Sequence, residues 1–443
     1  MTTTPLVALQ QPKDISLHEI EAELNAMWNS QSGDAAATAS RASTFSMLIY
    51  EPEEFQQLLA VLGFYQGPID GIHGPLTKEA VEAAQKSLKL PITGRIDPET
   101  LVCLRAEVAK LPLERLKISN LNLRGSNISD AIAARNPRRI ITLCPTLGED
   151  QGVTAEVSAY CPVQKGATDT LICSEYITLR GTKEALNRMG DVAAPLLIPD
   201  LPKFLWWKAT PNPEQDLFKR LIEAAQCIVL DSSYFSDPES EFLKIQDLVD
   251  TGISVADLNW HRLLPWQELT AETFDPPERR ASLTEVDRVV IDYEKGNAAQ
   301  ALMFLGWIAS RLNWEPTAFI ETGGAYDLKH IKFTGACQRE IEAELAAIPT
   351  ADAGEIIGDL IGLRLASTNP TANCSTILCS ETTGCMRLEA GGAAQAGGYT
   401  QMVMALNDQK AEFLLSQQLQ RWGREVLFEE SLAVVVKMLR LRK

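Results

Sequence analysis

Residues 373–389, NCSTILCSETTGCMRLE, predict a β-hairpin and contain three of the nine cysteines of the chain. Residues 375–379 are rich in β-forming side chains, and apolar and charged residues alternate along 385–389. Gly384, in the segment between them, can adopt the positive φ that a tight turn requires. The pattern predicts two antiparallel strands, with Cys379 and Cys385 on either side of the turn.

The cysteines of this hairpin are candidates for a redox pair. Directly opposed Cα atoms of antiparallel strands lie about 4.5–5.5 Å apart, which is close to the separation that a disulfide needs. We therefore predict a disulfide between Cys379 and Cys385, with Cys374 as the alternative partner. The other interpretation is that these cysteines are small core residues, since cysteine is among the most buried residue types.

Composition restricts the functions open to the chain. It has 443 residues, 58 acidic against 41 basic side chains, a formal charge of −17 and a pI near 4.9. Such a surface repels phosphate backbones and acidic membranes, so we expect neither a nucleic-acid nor a membrane partner. The N-terminus lacks the pattern of a secretory signal. We expect a cytoplasmic protein in which any disulfide is transient or regulatory.

Hydrophobic periodicity predicts a multidomain protein that combines α/β and α+β parts. Residues 1–50 are predicted to form an N-terminal helix and a flexible linker, and residues 51–111 a small helical module. Helices alternate with apolar strands along 112–275, which indicates a mainly parallel α/β domain. From residue 276 onward, strictly alternating strands and a helical tail predict an antiparallel sheet with one wet face.

The sequence shows no motif for catalysis, cofactor binding or metal binding. None of the four histidines has metal-ligand spacing, and neither a phosphate loop nor a GxGxxG turn occurs. The hairpin cysteines do not match the spacings of structural zinc sites. Aromatic and arginine side chains are enriched at binding hot spots. We therefore take Trp206, Trp207, Arg421 and Trp422 as candidate partner-binding residues. The alternative is that helices cover both faces of the strand with Trp206 and Trp207, and that Arg421 and Trp422 belong to a solvated helix face.

Residues 51–111 resemble the peptidoglycan-binding-like domain, a three-helix unit. The resemblance depends on two turns, IDGIHGPLT at 69–77 and TGRID at 93–97. One departure is Ala84, where that family usually has an aromatic core residue. Cell-wall binding conflicts with the absence of an export signal, so we expect a reused interaction or scaffold module.

The C-terminal three quarters of the chain, about residues 112–443, resembles the OpcA family. The resemblance rests on four long and uncommon strings: LPKFLWWKA at 201–209, GDLIGLRLASTNP at 358–370, NCSTILCSETTGCMRLEAGG at 373–392 and LSQQLQRWGREVLFEESL at 415–432. The helical module resembles the N-terminal extension found on versions of this family from photosynthetic bacteria.

This resemblance implies a non-catalytic partner that binds glucose-6-phosphate dehydrogenase and raises its activity in the oxidative pentose phosphate pathway. It also implies redox control through thioredoxin, for which the cysteine hairpin would be the site. Two alternatives stay open at this point, an enzyme that acts on a sugar phosphate and a cell-wall-binding protein. The contact surface, the stoichiometry and the role of the module are not determined by the sequence.

Overall fold

The computed structural model describes the greater part of the chain. The described residues are 6–30, 38–41, 43–51, 54–66, 75–94, 98–111, 138–145, 150–162, 170–235, 237–275, 277–349, 356, 358–369, 373–380, 385–392, 400–405, 411–421 and 423–442. They form two compact units. The first unit comprises Met1–Leu230 and Leu415–Trp422, and the second comprises Asp231–Leu414 and Gly423–Lys443.

The first unit contains strands β1 to β8 and helices α1 to α7. Its strands are β1 Leu6–Ile15, β2 Thr38–Arg41, β3 Phe45–Tyr50, β4 Arg138–Pro145, β5 Thr154–Pro162, β6 Thr170–Gly181, β7 Lys203–Trp207 and β8 Cys227–Leu230. Its helices are α1 Ile20–Ser30, α2 Glu54–Val61, α3 Pro75–Ser87, α4 Pro98–Ala109, α5 Lys183–Asn187, α6 Gly190–Ala193 and α7 Asp216–Ala224.

The first sheet has the strand order β1-β5-β6-β4-β3-β7-β8, and β2 pairs with β6. The pairs β6–β4, β4–β3, β3–β7 and β7–β8 are parallel, whereas β5 and β1 are antiparallel additions. Numbered along the chain, the parallel strands follow the order 3-2-1-4-5, which is that of a doubly wound sheet. The predicted mainly parallel sheet is confirmed.

The assignment of residues 1–50 as a helix and a linker is wrong in one respect, because this segment also supplies three strands. Strand β3 is the central strand of the first sheet, and all six of its residues are buried. Its sequence, FSMLIY, is a continuous apolar run, as expected of a parallel strand covered on both faces. The predicted helix is present as α1.

The helical module packs around its own apolar cluster. Phe55, Leu58 and Leu59 of α2 meet Val81 of α3 and Leu104 of α4 in this cluster. Gln85, which is buried in α3, accepts hydrogen bonds from the backbone N–H groups of Thr93 (2.9 Å) and Gly94 (3.0 Å). The three predicted helices are therefore joined by one core and one buried amide. The IDG turn at 69–71 lies outside the described residues.

The second unit contains strands β9 to β17 and most of the later helices. Its strands are β9 Ser254–Asp257, β10 Arg288–Glu294, β11 Glu315–Gly323, β12 Leu328–Thr334, β13 Glu340–Ile348, β14 Leu360–Ala366, β15 Asn373–Ser380, β16 Cys385–Gly392 and β17 Thr400–Ala405. Its helices are α8 Pro238–Asp250, α9 Leu258–Arg262, α10 Leu264–Phe274, α11 Pro277–Leu283, α12 Ala299–Arg311 and α14 Val426–Arg440. Helix α13, Ala411–Gln418, spans the division between the units.

The second sheet has eight strands in the order β11-β12-β13-β10-β14-β15-β16-β17. All of its pairs are antiparallel except β10 with β13. Helices α12 and α14 pack together, with α12 on β10 and α14 on β11. Glu342, about half exposed, pairs with Arg288 (3.0 Å) and Lys332 (3.3 Å) across strands. Solvated charges of this kind indicate the predicted wet face.

Candidate functional site

The predicted cysteine hairpin is present as β15 and β16, but its register differs from the expectation. Ser380 lies opposite Cys385, and Cys379 lies opposite Met386. Cys374, the alternative partner, lies opposite Gly391. The expectation that Cys379 and Cys385 are directly opposed is therefore wrong. Adjacent positions of a strand belong to opposite faces of a sheet, so a disulfide between these two cysteines would require a one-residue shift in register.

A disulfide that the sequence analysis missed joins Cys161 of β5 to Cys173 of β6. Their Cα atoms are 4.1 Å apart, and each residue is about 1% exposed. Both strands are predictable from sequence, but their pairing is not, because Cys161 ends one apolar segment and Cys173 begins the next. Only antiparallel pairing of β5 and β6 brings the two cysteines together.

The N-terminal helix α1 packs on the face of the first sheet that carries Glu175, two residues along β6 from Cys173. The Trp28 indole Nε1 donates to the Glu175 carboxylate (2.6 Å), and Glu21 pairs with Arg139 (2.5 Å). Arg139 also donates to Glu175 (2.8 Å). Burial disfavours its charge, yet Glu175 and Glu21 keep the pKa of Arg139 raised above its ordinary value. These hydrogen bonds and ion pairs hold α1 on the first sheet of its own chain.

Trp206 and Trp207 are both buried, at 3% and 1% exposure. Of the two interpretations of this strand, exposure of one indole for a partner is wrong, and burial of both indoles is what the structure shows. Trp207 stacks on Tyr50, with ring centroids 3.9 Å apart, and meets Phe218 of α7 edge-on. The Lys208 ammonium lies 4.3 Å from the centroid of the Trp206 ring, a cation–π contact.

These aromatic residues lie where β3 and β7 end side by side. In doubly wound sheets, ligands bind outside the carboxyl ends of the strands at the point where strand order reverses. Here β3 and β7 are the neighbours that flank this point. Glu51 lies at this point, between the ends of β3 and β7. It is 4% exposed, and its carboxylate pairs with the Lys208 ammonium at 2.7 Å. The Tyr50–Trp207 stack lies directly beside this ion pair.

The turn after β3 does not suit a dinucleotide. In dinucleotide-binding sheets this turn is glycine-rich, and its backbone N–H groups meet the pyrophosphate at the start of the next helix. Here the turn has the sequence Glu51-Pro52-Glu53-Glu54, and α2 begins at Glu54. The sequence of this turn contains no glycine, and its proline supplies no N–H group. The chain enters its helical module here, in place of a phosphate cradle.

Of the remaining predicted partner-binding residues, Arg421 belongs to the first unit and is exposed, whereas Trp422 lies outside the described residues. In the second unit Val426 and Leu427 are also exposed, at 58% and 44%. Arg424 beside them is held by Glu429 through two hydrogen bonds of 2.8 and 2.7 Å. Because its side chain is exposed, Arg421 stays a candidate contact for a partner.

A buried polar cluster in the second unit was also missed. Arg262 donates to both oxygens of Asp231 (2.7 and 2.9 Å). Asp257 accepts from the hydroxyl of Ser232 (2.6 Å) and from the backbone N–H of Asn259 (2.9 Å). Burial, and then the charge of Asp231, raise the pKa of Asp257 to about 6. Its density of hydrogen bonds indicates a structural role.

Metal and membrane features are not found in the part of the chain that the structure describes. Across those residues, no three His, Cys, Asp or Glu side chains come together as a metal site would require. Nor is any helix within them of a length and apolarity that would cross a bilayer.

Comparison with protein families gives three matches. Residues 129–247 match the family described as "Glucose-6-phosphate dehydrogenase subunit N-terminal domain", and residues 253–432 match the corresponding C-terminal domain. Residues 51–104 match the family described as "Putative peptidoglycan binding domain". The first two matches together cover more than half of the chain.

Full-length relatives support the same grouping. The protein named "Putative OxPP cycle protein OpcA" of Nostoc punctiforme is 56% identical over 449 residues, which cover 100% of this chain and 97% of that protein. The protein of the same name in Synechococcus elongatus is 54% identical over 442 residues, which cover 100% of this chain and 99% of that protein. Among solved structures, a 3-ketoreductase from Actinomadura kijaniata is 10% identical, with a TM-score of 0.39. The match covers 60% of this chain and 82% of the ketoreductase.

Proposed function

This chain belongs to the OpcA family, whose domains are those of a glucose-6-phosphate dehydrogenase subunit, and from this premise we propose that it is a non-catalytic partner of that dehydrogenase. In this role it binds the enzyme in the cytoplasm and raises its activity in the oxidative pentose phosphate pathway. The observation that carries the proposal is the pair of subunit-domain matches, over residues 129–247 and 253–432.

The turn after β3 supports a partner role over an enzymatic one. A dehydrogenase of its own would need a place for the nicotinamide dinucleotide, and the strand order of the first sheet puts that place beside β3 and β7. Glu51 and Lys208 fill it with a buried ion pair, and the sequence that follows β3 has no glycine for a phosphate turn. The chemistry of that edge therefore disfavours hydride transfer by this chain.

Activation requires a difference in affinity. A partner that binds the active and inactive states of the dehydrogenase equally well changes nothing. Binding the active state more tightly by about 1–3 kcal/mol would raise its population or substrate affinity about 5–150-fold. We propose that the chain acts in this way, and we expect a lower apparent KM for glucose 6-phosphate in the complex.

The first experiment measures binding and turnover together. Pure chain and pure dehydrogenase are mixed, the complex is isolated by size exclusion, and NADPH formation is followed with each protein alone and with both. We expect co-elution, no turnover by the chain alone, and faster turnover by the mixture at subsaturating glucose 6-phosphate. Turnover by the chain alone, or mixed rates equal to those of the dehydrogenase, would refute the proposal.

Two surface variants refine this experiment. Arg421→Ala removes an exposed candidate contact of the first unit, and Lys332→Ala removes an exposed charge from the wet face of the second sheet as a matched control. If Arg421 contributes to the contact, its variant should weaken binding by about tenfold, while the control binds normally. Equal affinity of both variants would exclude Arg421 but leave the main proposal standing.

We further propose that thioredoxin controls the activation through the thiols of the β15–β16 hairpin. Because Cys379 and Cys385 are offset by one residue, oxidation would shift the register there and alter the presented surface. The double variant Cys379→Ser/Cys385→Ser should activate the dehydrogenase identically with and without reduced thioredoxin. Cys337→Ser, which removes an exposed thiol elsewhere in the second unit, is the control. Wild-type activation that ignores thioredoxin would exclude this part of the proposal.

A further inference from the structure

The disulfide between Cys161 and Cys173 lies at the point where the N-terminal segment joins the first sheet. We define the N-terminal segment as β1, α1 and β2. In register, Val7 of β1 lies opposite Cys161, and Arg41 of β2 lies opposite Cys173. The row across the sheet is therefore Val7, Cys161, Cys173 and Arg41, and the covalent bond is its centre.

Helix α1 lies between these two strands in the chain and packs beside the disulfide. Ile20, Leu24 and Met27 are buried, at 1%, 0% and 5% exposure, and Trp28 bonds to Glu175. Glu175 and Cys173 are two residues apart on β6, so they belong to the same face of the sheet. The segment thus covers the face on which the disulfide lies, and both cysteines are almost completely buried.

The proposed cytoplasmic location bears on how permanent this bond is. The cytoplasm is a reducing compartment, where disulfides are transient and serve redox roles. Within the part of the chain that the structure describes, Cys103, Cys144, Cys227 and Cys337 are thiols. The Cys161–Cys173 bond is therefore expected to open and close with the supply of reductant.

We propose that Cys161 and Cys173 form a reversible thiol–disulfide site whose oxidation state determines how firmly the N-terminal segment is held on the first sheet. The reductant is a dithiol. One of its thiolates attacks a sulfur of the pair, the bond between the cysteines breaks, and a mixed disulfide forms. The second thiolate of the dithiol then displaces the protein sulfur. Two electrons and two protons pass to Cys161 and Cys173, and the dithiol leaves as its own disulfide.

Because the disulfide is buried, its reduction and the loosening of the N-terminal segment depend on each other. Attack on a disulfide needs access to a sulfur, and here access requires α1 to move away from β5 and β6. Reduction in turn removes the link between the strands that carry β1 and β2. Because linkage is reciprocal, a loosened segment should speed reduction, and reduction should loosen the segment. This site lies in the first unit and is independent of the hairpin thiols of β15 and β16.

Hydrogen exchange followed by mass spectrometry on the full chain alone tests the proposal. Oxidised and dithiol-reduced samples are compared at residues 20–30. We expect reduction to accelerate exchange there by roughly tenfold or more, because closing a short loop contributes measurably to local stability. Equal exchange in both states, or Cys161 and Cys173 remaining open to alkylation after oxidation, would overturn the proposal.

Variants separate this site from other thiols. In Cys161→Ala/Cys173→Ala, exchange at residues 20–30 should be fast and independent of reductant. Cys144→Ala truncates a buried cysteine of β4 in the same sheet, and it should keep the wild-type response. Cys374→Ala/Cys379→Ala/Cys385→Ala should also keep it. A response that vanishes in the triple variant but survives in the double variant would assign the effect to the hairpin and refute the proposal.

A third variant tests the reciprocal effect. Trp28→Phe removes the indole N–H donated to Glu175, and it should accelerate both the exchange of α1 and the reduction of the disulfide by several-fold. Trp314→Phe, a buried indole of the second unit, is the matched control and should leave the reduction rate unchanged. An unchanged rate in Trp28→Phe would show that access does not depend on α1. None of these measurements uses the dehydrogenase, so their failure would leave the proposed function untouched.

Discussion

Asp257 is a buried carboxyl group whose charged form is disfavoured by its surroundings. It is 1% exposed and lies at the end of β9, where it accepts hydrogen bonds from Ser232 and Asn259. Those bonds favour the carboxylate, but burial and the nearby charge of Asp231 outweigh them and raise the pKa of Asp257 to about 6. The folded state therefore holds a proton on Asp257 more tightly than the unfolded state does.

This pKa predicts a pH dependence of stability. A raised folded pKa means that the native state binds more protons between about pH 4 and pH 6, so this group's contribution to the free energy of unfolding falls as pH rises through that window. Asp257→Asn does not titrate. On lowering the pH from 7.5 to 5.0, the wild type should gain about 1 kcal/mol relative to this variant, as measured by denaturant unfolding.

The comparison of wild type and variant at each pH cancels the titration of all other groups. A difference between wild type and Asp257→Asn that stays constant with pH would mean that Asp257 is ionised in the folded state throughout this range.

At the scale of elements, the loop before β14 is determined by a close approach of two backbone segments. Gly358, just before β14, has φ +88°, and a Cβ there would lie 2.0 Å from the Asn297 carbonyl oxygen. The Asn297 side chain in turn donates to the carbonyls of Ser232, Ser233 and Phe235 (3.0, 3.0 and 3.2 Å). Glycine at 358 is thus required both by the positive φ and by the space available.

Replacing Gly358 should therefore destabilise the second unit. Gly358→Ala combines the cost of a positive φ, about 1 kcal/mol, with a steric clash of about 1–3 kcal/mol. Gly252→Ala is a matched control, because Gly252 has φ +91° and nothing lies within 4 Å of its Cβ position. Thermal unfolding should show a larger loss for Gly358→Ala, and equal losses would contradict the crowding at Asn297.

In the helical module, the side chain of Gln85 joins α3 to the turn that follows it and to α4. Its Nε2 donates to the hydroxyls of Thr93 (2.9 Å) and Thr100 (3.1 Å), and its Oε1 accepts from two backbone N–H groups. Gln85→Leu should remove these four hydrogen bonds from the module's core at a cost of about 2–4 kcal/mol. Hydrogen exchange should then accelerate in α3 and α4, whereas Lys86→Ala on the exposed side should have little effect. Slow exchange in Gln85→Leu would contradict the role of this amide.

At the scale of the whole molecule, the dominant property is negative charge. A formal charge of −17 produces self-repulsion that opposes the compact state, and salt screens it. Raising KCl from about 20 to 200 mM, over which the Debye length shortens severalfold, should raise Tm by a few degrees. Sucrose at equal osmolality is the control for solvent effects. A Tm that falls with KCl would show that attractive ion pairs outweigh the repulsion.

The helical module is also a whole-molecule feature, because it interrupts the first sheet. It enters after β3, and the chain returns to the sheet at β4, which is parallel to β3. The module therefore occupies the crossover connection that begins a dinucleotide site in other doubly wound sheets.

Local pattern was sufficient for most elements and for the family, since period-2 alternation and apolar runs depend only on neighbouring residues. The sequence thereby determined strands such as 204–207 and 340–345, the hairpin at 373–389 and the absence of a glycine-rich phosphate turn. Strand β3 was not predicted, although its apolar run was present, because its place at the centre of the sheet depends on partners far away in the chain.

Only the tertiary structure decided which residues meet. It brought Cys161 to Cys173 and offset Cys379 from Cys385 by one position. It also buried Trp206 and Trp207, and it divided the units at Leu230 instead of near residue 275. Each of these outcomes depends on strand pairing and register. A shift of one residue exchanges the faces of a strand without altering its local sequence pattern, so sequence alone cannot determine it.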